Sequence, residues 1–225
     1  MVILYLFIAG SFYLLLYKWK KNPLAGKKFH LYEISTEQFR REIRLTSTTL
    51  IIFCFTGFVI GLLNQSGVAL LYFHISAYGK IYFAFSILLM ILMHDTYFYW
   101  THRLLHLPGW YEKIHFSHHL SSNPNPWTSL AFHPAEAIIQ AAIFPIIILI
   151  IPIHPVAFFS FLFYMVFMNV RGHSGFQIFP FENRINKWDW WNNSSKQHDE
   201  HHQYAKGNYG LYFTFWDKLM KTGSK

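Results

Sequence analysis

The sequence predicts an all-α integral membrane protein, and three observations carry that prediction. Of its 225 residues, 53% are hydrophobic, 20% aromatic and only 13% charged, a mixture too apolar for an ordinary soluble surface. The apolar residues stand in long blocks of helix-spanning length. Imidazoles recur at helical spacing where those blocks end, as His102 and His106, then His115, His118 and His119, then His198, His201 and His202.

Residues 1–17 are apolar and end at Lys18, Lys20 and Lys21. The basic residues follow the apolar run, which suits a retained anchor better than a cleaved signal peptide. Residues 18–45 form a basic polar segment, in which Ser35 or Thr36 caps a short interfacial helix through Phe39, Arg40, Ile43 and Arg44. A second span runs from Thr46 to Leu63, where Gly57 and Gly61 stand four apart and would permit close helix packing. Asn64 to Lys80 is a link, and Ile81 to Trp100 is a third span that delivers the first histidines. Asn123-Pro124-Asn125-Pro126 marks a loop from Ser121 to His133. Ala135 to Ile151 and Pro155 to Val170 then form a hairpin of two shorter spans about the turn Pro152 to His154. The remainder, Arg171 to Lys225, is polar and aromatic, with Trp188, Trp190 and Trp191 as membrane-interface anchors. The chain divides into an N-terminal anchor region, 1–80, with two spans and a basic loop, and a domain over 81–225 that carries the clustered histidines.

The formal charge is +8, but its placement argues against a nucleic-acid partner. On five spans, Lys18 to Arg44, Arg103, Lys113 and the basic residues of the tail share one face, and only Lys80 lies on the other. By the positive-inside rule that face is cytoplasmic, and it also holds both H-x-x-H-H groups. The one cysteine, Cys54, excludes an internal disulfide, a Cys-ligated iron–sulfur cluster and a thiolate zinc site.

There are 14 histidines. Positions i, i+3 and i+4 share a helix face, so each H-x-x-H-H is expected to aim its imidazoles at one point. Many adjacent imidazoles repel one another when protonated and need partners when neutral and buried, so metal is the expected partner. A tetrahedral site uses about four ligands, and eight or more imply two metals. The predicted ligands are His102, His106, His115, His118, His119, His198, His201 and His202, joined by His173 and by Asn169, the latter through a bound water. A helical cap on the cytosolic side would hold this histidine-rich dimetal site. Asp95, two turns before His102, and Asp199, inside the last group, are the candidate carboxylate partners of the ligands, with Glu200 beside them. His94, His133 and Glu136 border the site, Trp127, Phe132 and Phe176 are candidate walls of a lipid pocket, and His30, His74 and His154 read as ordinary solvated or hydrogen-bonded residues. Ligand type alone leaves iron, zinc, copper and nickel open.

The H-x-x-x-H and the paired H-x-x-H-H motifs, flanking hydrophobic hairpins, resemble the fatty acid hydroxylase/sterol desaturase superfamily. Ser129-Leu130-Ala131-Phe132-His133-Pro134, the Pro152-Ile153-His154 turn, and Asn208-Tyr209-Gly210 followed by Trp216-Asp217 resemble its sterol C-5 desaturase-like members. The likeness covers about residues 85–222 and makes 81–225 the catalytic domain. It implies two Fe ions, with zinc as the substitute expected in purified protein, and O₂-dependent hydroxylation or desaturation of a sterol, isoprenoid or acyl lipid. It also implies a separate electron donor, such as a cytochrome b5-like or ferredoxin-like protein. A histidine-rich metal transporter should instead carry ligands midway through its spans, and a membrane zinc hydrolase should need fewer imidazoles per metal.

Overall fold

The computed structural model describes residues 1–19, 27–30, 33–178 and 192–223. The expected interface anchors Trp188, Trp190 and Trp191, and the basic residues Lys20, Lys21, Arg184, Lys187 and Lys225, lie outside the described residues. Every regular element among the described residues is helical. The α-helices are α1 (Val2–Tyr13), which continues as a π-helical turn to Lys18, α2 (Thr36–Gln65), α3 (Gly79–Leu105), α4 (Phe116–His119), α5 (Pro134–Ile150), α6 (Pro155–Gly172), α7 (Ser195–Tyr204) and α8 (Phe215–Leu219).

Three of these helices, α2, α3 and α6, are long and apolar enough to cross a membrane, while the first apolar helix and α5 are shorter. Residues such as Ile51, Phe55, Phe58, Ile81 and Phe159 are largely exposed, and on helices this apolar they form the lipid-facing surface. The long helices alternate in direction along the chain. α2 packs along α5, α3 against α6 and α5, and α1 against α6. The end of α1, the start of α2, the end of α3, the start of α5 and the end of α6 therefore meet at one end of the bundle. At the opposite end the 64–80 link is pinned to the α5–α6 turn, where Leu70 N–H donates to Ile148 O and Ile153 N–H to Leu70 O, both at 2.8 Å.

Two expectations change. The interfacial helix is not a separate element, because Ser35 caps a helix that runs unbroken for 30 residues. No Gly or Pro interrupts the sequence between Thr36 and Gly57, so nothing ends the helix where its polar part meets its apolar part. Gly57 and Gly61 make no close helix contact, since a Cβ at either would meet nothing within 4 Å.

The polar start of α2 has a different task. Glu42 is fully buried and accepts from Gln38 Nε2 at 2.8 Å, Asn125 Nδ2 at 2.7 Å and Thr128 Oγ1 at 2.9 Å. It thereby fixes the Asn-Pro-Asn-Pro loop over the end of the bundle. Replacing Glu42 by Ala strands the Asn125 and Thr128 donors in the interior. The expected loss is on the order of 3 kcal/mol, read as a lowered thermal midpoint of the protein in detergent.

Candidate metal centre

Of the helix ends that meet at one end of the bundle, those of α3 and α6 deliver histidine, and α4 and α7 add the rest. His102 lies in the last turn of α3, and His106 caps that helix. His115 closes the π-helical turn Tyr111–His115 that runs directly into α4, which carries His118 and His119. His173 caps α6. α7 begins at a capping box, in which Ser194 Oγ accepts from Gln197 N–H at 3.1 Å and Gln197 Oε1 accepts from Ser194 N–H at 3.0 Å. Ser195 Oγ donates to Arg171 O at 2.9 Å, which docks α7 on the end of α6 and brings in His198, His201 and His202.

The nine histidines fall into two groups, His102, His106, His115, His119 and His201 in one, and His118, His173, His198 and His202 in the other. Within each group the ligand atoms lie within 4.8 Å of one another. Each H-x-x-H-H is therefore divided between the groups, contrary to the expectation of a single target. The i and i+4 imidazoles stay together and the i+3 imidazole leaves. Successive helical residues point roughly 100° apart, so the adjacent pairs His118–His119 and His201–His202 cannot face one point. The two motifs run in complementary sense, one giving two ligands to the first group and one to the second, the other the reverse.

Backbone carbonyls set the tautomers. His102 Nδ1 lies 2.9 Å from Tyr209 O, His201 Nδ1 2.6 Å from Gly207 O, His173 Nδ1 2.9 Å from Asn169 O, His118 Nδ1 3.3 Å from Ala131 O and His119 Nδ1 3.4 Å from His202 O. A carbonyl only accepts, so in each case Nδ1 carries the proton and Nε2 is left with its lone pair. His115 Nδ1 sits 2.8 Å from Glu136 Oε1, at hydrogen-bonding distance but off the N–H direction. Gly207 is essential to this arrangement. Its φ is +69°, and a Cβ there would stand 2.2 Å from Thr222 O.

These bare nitrogens test whether the residues suit a metal. His102 Nε2 and His115 Nε2 are 3.0 Å apart, and His118 Nε2 and His173 Nε2 are 3.3 Å apart. In the tautomers just assigned the His118–His173 pair has no proton between its lone pairs. Nε2 of His106, His119, His201 and His202 is buried with no hydrogen-bond partner. A cation would satisfy such nitrogens. Metal–imidazole bonds are about 2.0–2.1 Å, so nitrogens that lie within 4.8 Å of one another could share one ion. Both groups fit an imidazole-bound first-row ion.

Burial, reinforced by the neighbouring imidazoles, holds His115, His118, His198, His201 and His202 far below the usual histidine pKa. Burial also lowers His119 and His173 to about 4, against the opposing pull of the His202 and Asn169 carbonyls. The cluster is therefore neutral and ready to ligate at pH 7.

The predicted carboxylates do not reach it. Asp95 Oδ1 accepts from Tyr212 N–H at 2.9 Å and Phe213 N–H at 3.3 Å, because the tail crosses α3 above His102 and takes that carboxylate for itself. Asp199 faces away from both groups, pairing with His30 Nε2 at 2.9 Å and accepting from Gln203 Nε2 at 2.8 Å. Burial raises its pKa, with the His30 pair opposing. Asn169 gives Nδ2 to Ser129 O at 2.9 Å. His133 and His154 are helix caps, accepting from Ala135 and Val156 N–H, and His74 is exposed. Of the proposed pocket aromatics, Phe132 lies 5.2 Å from the His118 ring, whereas Trp127 and Phe176 pack on Tyr5, Tyr13 and Tyr17 of the first helix.

Sequence reasoning did not single out the carbonyls of Gly207 and Tyr209, and it used Asp217 only for its likeness. Asp217 accepts from Tyr209 N–H at 3.0 Å, Gly210 N–H at 2.8 Å and Thr222 Oγ1 at 2.7 Å, so it shapes the loop that presents those carbonyls. The nearby Gly207 and Gly210 were the available signal.

On the membrane side of the histidines lie two cavities. The larger, about 380 Å³, is apolar and lies between α2, α5 and α6, with the exposed Cys54 and Phe159 at its edge. The smaller, about 20 Å³, is bounded by Phe98 and Phe132, which lie against His102 and His118. Phe53 and Phe144 line both cavities.

The fatty acid hydroxylase family model matches residues 87–222. The chain is 31% identical over 189 residues to lathosterol oxidase of Homo sapiens, covering 81% of this chain and 60% of that protein. It is 34% identical over 153 residues to a Delta(7)-sterol 5(6)-desaturase of Gibberella zeae, covering 67% and 45%. A Delta(7)-sterol 5(6)-desaturase of Schizosaccharomyces pombe is 31% identical over 153 residues, covering 68% and 48%. The chain thus spans about half the length of these relatives. No solved structure matches it.

The division of the motifs makes a stoichiometric prediction. His118→Ala removes a ligand from the four-histidine group alone, so bound metal should fall from about two ions per chain towards one by elemental analysis. For the metal-free protein, histidines with pKa about 4 when folded and about 6.5 when unfolded take up protons first in the unfolded chain. Stability is therefore full above pH about 6.5 and lost as pH falls towards 4, which a thermal melt series in metal-free buffer should record.

Proposed function

Since the chain belongs to the fatty acid hydroxylase family, we propose that it is a membrane-bound non-haem di-iron oxidoreductase that hydroxylates or desaturates a lipid. The observation that carries this reading is the pair of buried all-imidazole groups whose Nε2 atoms face one another. One iron would be held by His102, His106, His115, His119 and His201, and the other by His118, His173, His198 and His202. When bound and reduced, such a centre supplies activation of O₂ and oxidation of an unactivated C–H bond. A sterol is the favoured substrate, because the relatives above are named for sterol oxidation.

The protein's own groups prepare the site for that chemistry. The carbonyls of Tyr209, Gly207, Asn169, Ala131 and His202 hold five imidazoles by Nδ1 and so aim Nε2 inward. Glu136 stands 2.8 Å from His115 Nδ1, where a small turn of the ring would let its carboxyl accept from that nitrogen and strengthen the imidazole as a ligand. Phe98 and Phe132 cover the membrane side of the histidines, excluding water while leaving an apolar approach. An apolar substrate would enter sideways from the bilayer, through the larger cavity.

The basic residues that flank the histidine end support a cytoplasmic orientation by the positive-inside rule. Electrons would then come from a separate cytochrome b5-like or ferredoxin-like donor, for which the same basic residues offer attraction to an acidic surface. The histidines stand at helix ends instead of midway along the spans, which speaks against a transporter.

The test is elemental analysis joined to O₂ uptake by the reduced protein in lipid nanodiscs. The reading expects two irons per chain, O₂ consumption that depends on a sterol, and an oxidised sterol by mass spectrometry. Zinc alone with hydrolysis, or metal flux across vesicles, would overturn it. Glu136→Gln is expected to weaken iron binding or turnover on the order of 10–100-fold.

A further inference from the structure

Three helices approach the histidines with side chains repeating every four residues. α3 presents His94, Phe98 and His102, α6 presents Met165, Asn169 and His173, and α5 presents Glu136, Gln140, Phe144 and Ile148. Residues four apart share a face and rise about 6 Å along the axis. On α5 this gives an ordered path. Ile148 lines the large cavity, Phe144 lines both, Gln140 lines the small one, and Glu136 meets His115.

Gln140 is out of place on that path. It is 5% exposed, and neither its amide oxygen nor its amide nitrogen has a hydrogen-bond partner. A buried amide with both groups unmet is destabilising, yet it faces a cavity whose other walls include Phe53, Phe98, Phe132 and Leu130. The volume of about 20 Å³ admits one water-sized group. A hydroxyl both donates and accepts, so it can satisfy the amide oxygen and the amide nitrogen together. A carbonyl could meet only the nitrogen, and an ammonium only the oxygen.

We infer that Gln140 is a specificity-determining residue that binds the hydroxyl of a lipid alcohol, which enters head first from the large apolar cavity. The inference deepens the lipid oxidoreductase reading and rests on it. The hydroxyl would sit one helical turn from Glu136, against Phe98 and Phe132 beside the histidines, and the carbons next to it would lie at Phe53 and Phe144, which line both cavities. The apolar remainder would fill the cavity among Phe144, Ile148 and Leu162. Oxidation is thus directed to carbons near the hydroxyl, and a lipid with no hydroxyl at its leading end is discriminated against.

The experiment is equilibrium binding of tritiated probe pairs to the full chain in detergent, with 5α-cholestan-3β-ol against 5α-cholestane, and hexadecan-1-ol against hexadecane. In at least one pair the alcohol should bind roughly 5- to 100-fold more tightly, the range expected for a buried amide otherwise left unmet. In Gln140→Leu, and in the better-matched Gln140→Met, that ratio should fall below about twofold while hydrocarbon affinity is kept. Equal affinities within both wild-type pairs, as a cavity that holds only water would give, overturn the inference. So does a ratio that survives in either variant, or an absence of binding by all four probes. Binding needs neither iron nor turnover, so this outcome is separable from the oxygenase test. A protein that oxidises lipid without discriminating loses only the hydroxyl site, and one that discriminates without turnover loses only the activity.

Discussion

Nine neutral imidazoles packed at one end of a helical bundle form a repulsive core, and the surrounding structure answers that constraint. Protonation is closed to them by burial and by one another. Hydrogen bonding to a backbone carbonyl satisfies one nitrogen in five of the rings, and the opposite nitrogens of those rings turn their lone pairs towards the other imidazoles. An assembly of this kind needs cations at its two foci, which is the physical ground for the proposed di-iron centre.

The helices meet that need through their ends. α3, α5 and α6 run the length of the bundle with apolar stripes that face one another, and each turns polar in its last or first turns where the stripes reach the histidines. The tail then closes the site from outside. Asp95 and Asp217 draw the Tyr209–Phe213 backbone across α3 by its N–H groups, and the same stretch turns the Tyr209 carbonyl onto His102. A buried carboxylate on a greasy helix thus acts through backbone geometry, one step removed from the ligands.

Much of this was legible in the sequence. The nine histidines could be singled out because imidazoles at i, i+3 and i+4 are rare and buried clusters of them need a common partner. The apolar blocks located the helices to within a turn or two. What could not be read was the direction of individual side chains at the ends. Sharing a face at i, i+3 and i+4 is only approximate, and the angle between adjacent residues sends His118 and His119 to different groups. Asp95 was correctly seen to need a partner, but the partner was a backbone from 117 residues away. Glu136 was placed at the border because sequence does not tell which histidine lies opposite a helix start. The path through Phe144 and Gln140 became visible only once the cavities joined it to the histidines.

The partition of the ligands also bears on biogenesis. By residue 119 the chain already carries four of the five histidines of the first group, but only one of the four in the second. The second group gains His173 with the last long helix and waits for α7 to supply the remaining pair. Maturation is thus intrinsically staged along the polypeptide, with the first focus nearly complete while the last helices are still being made, and the second dependent on C-terminal docking.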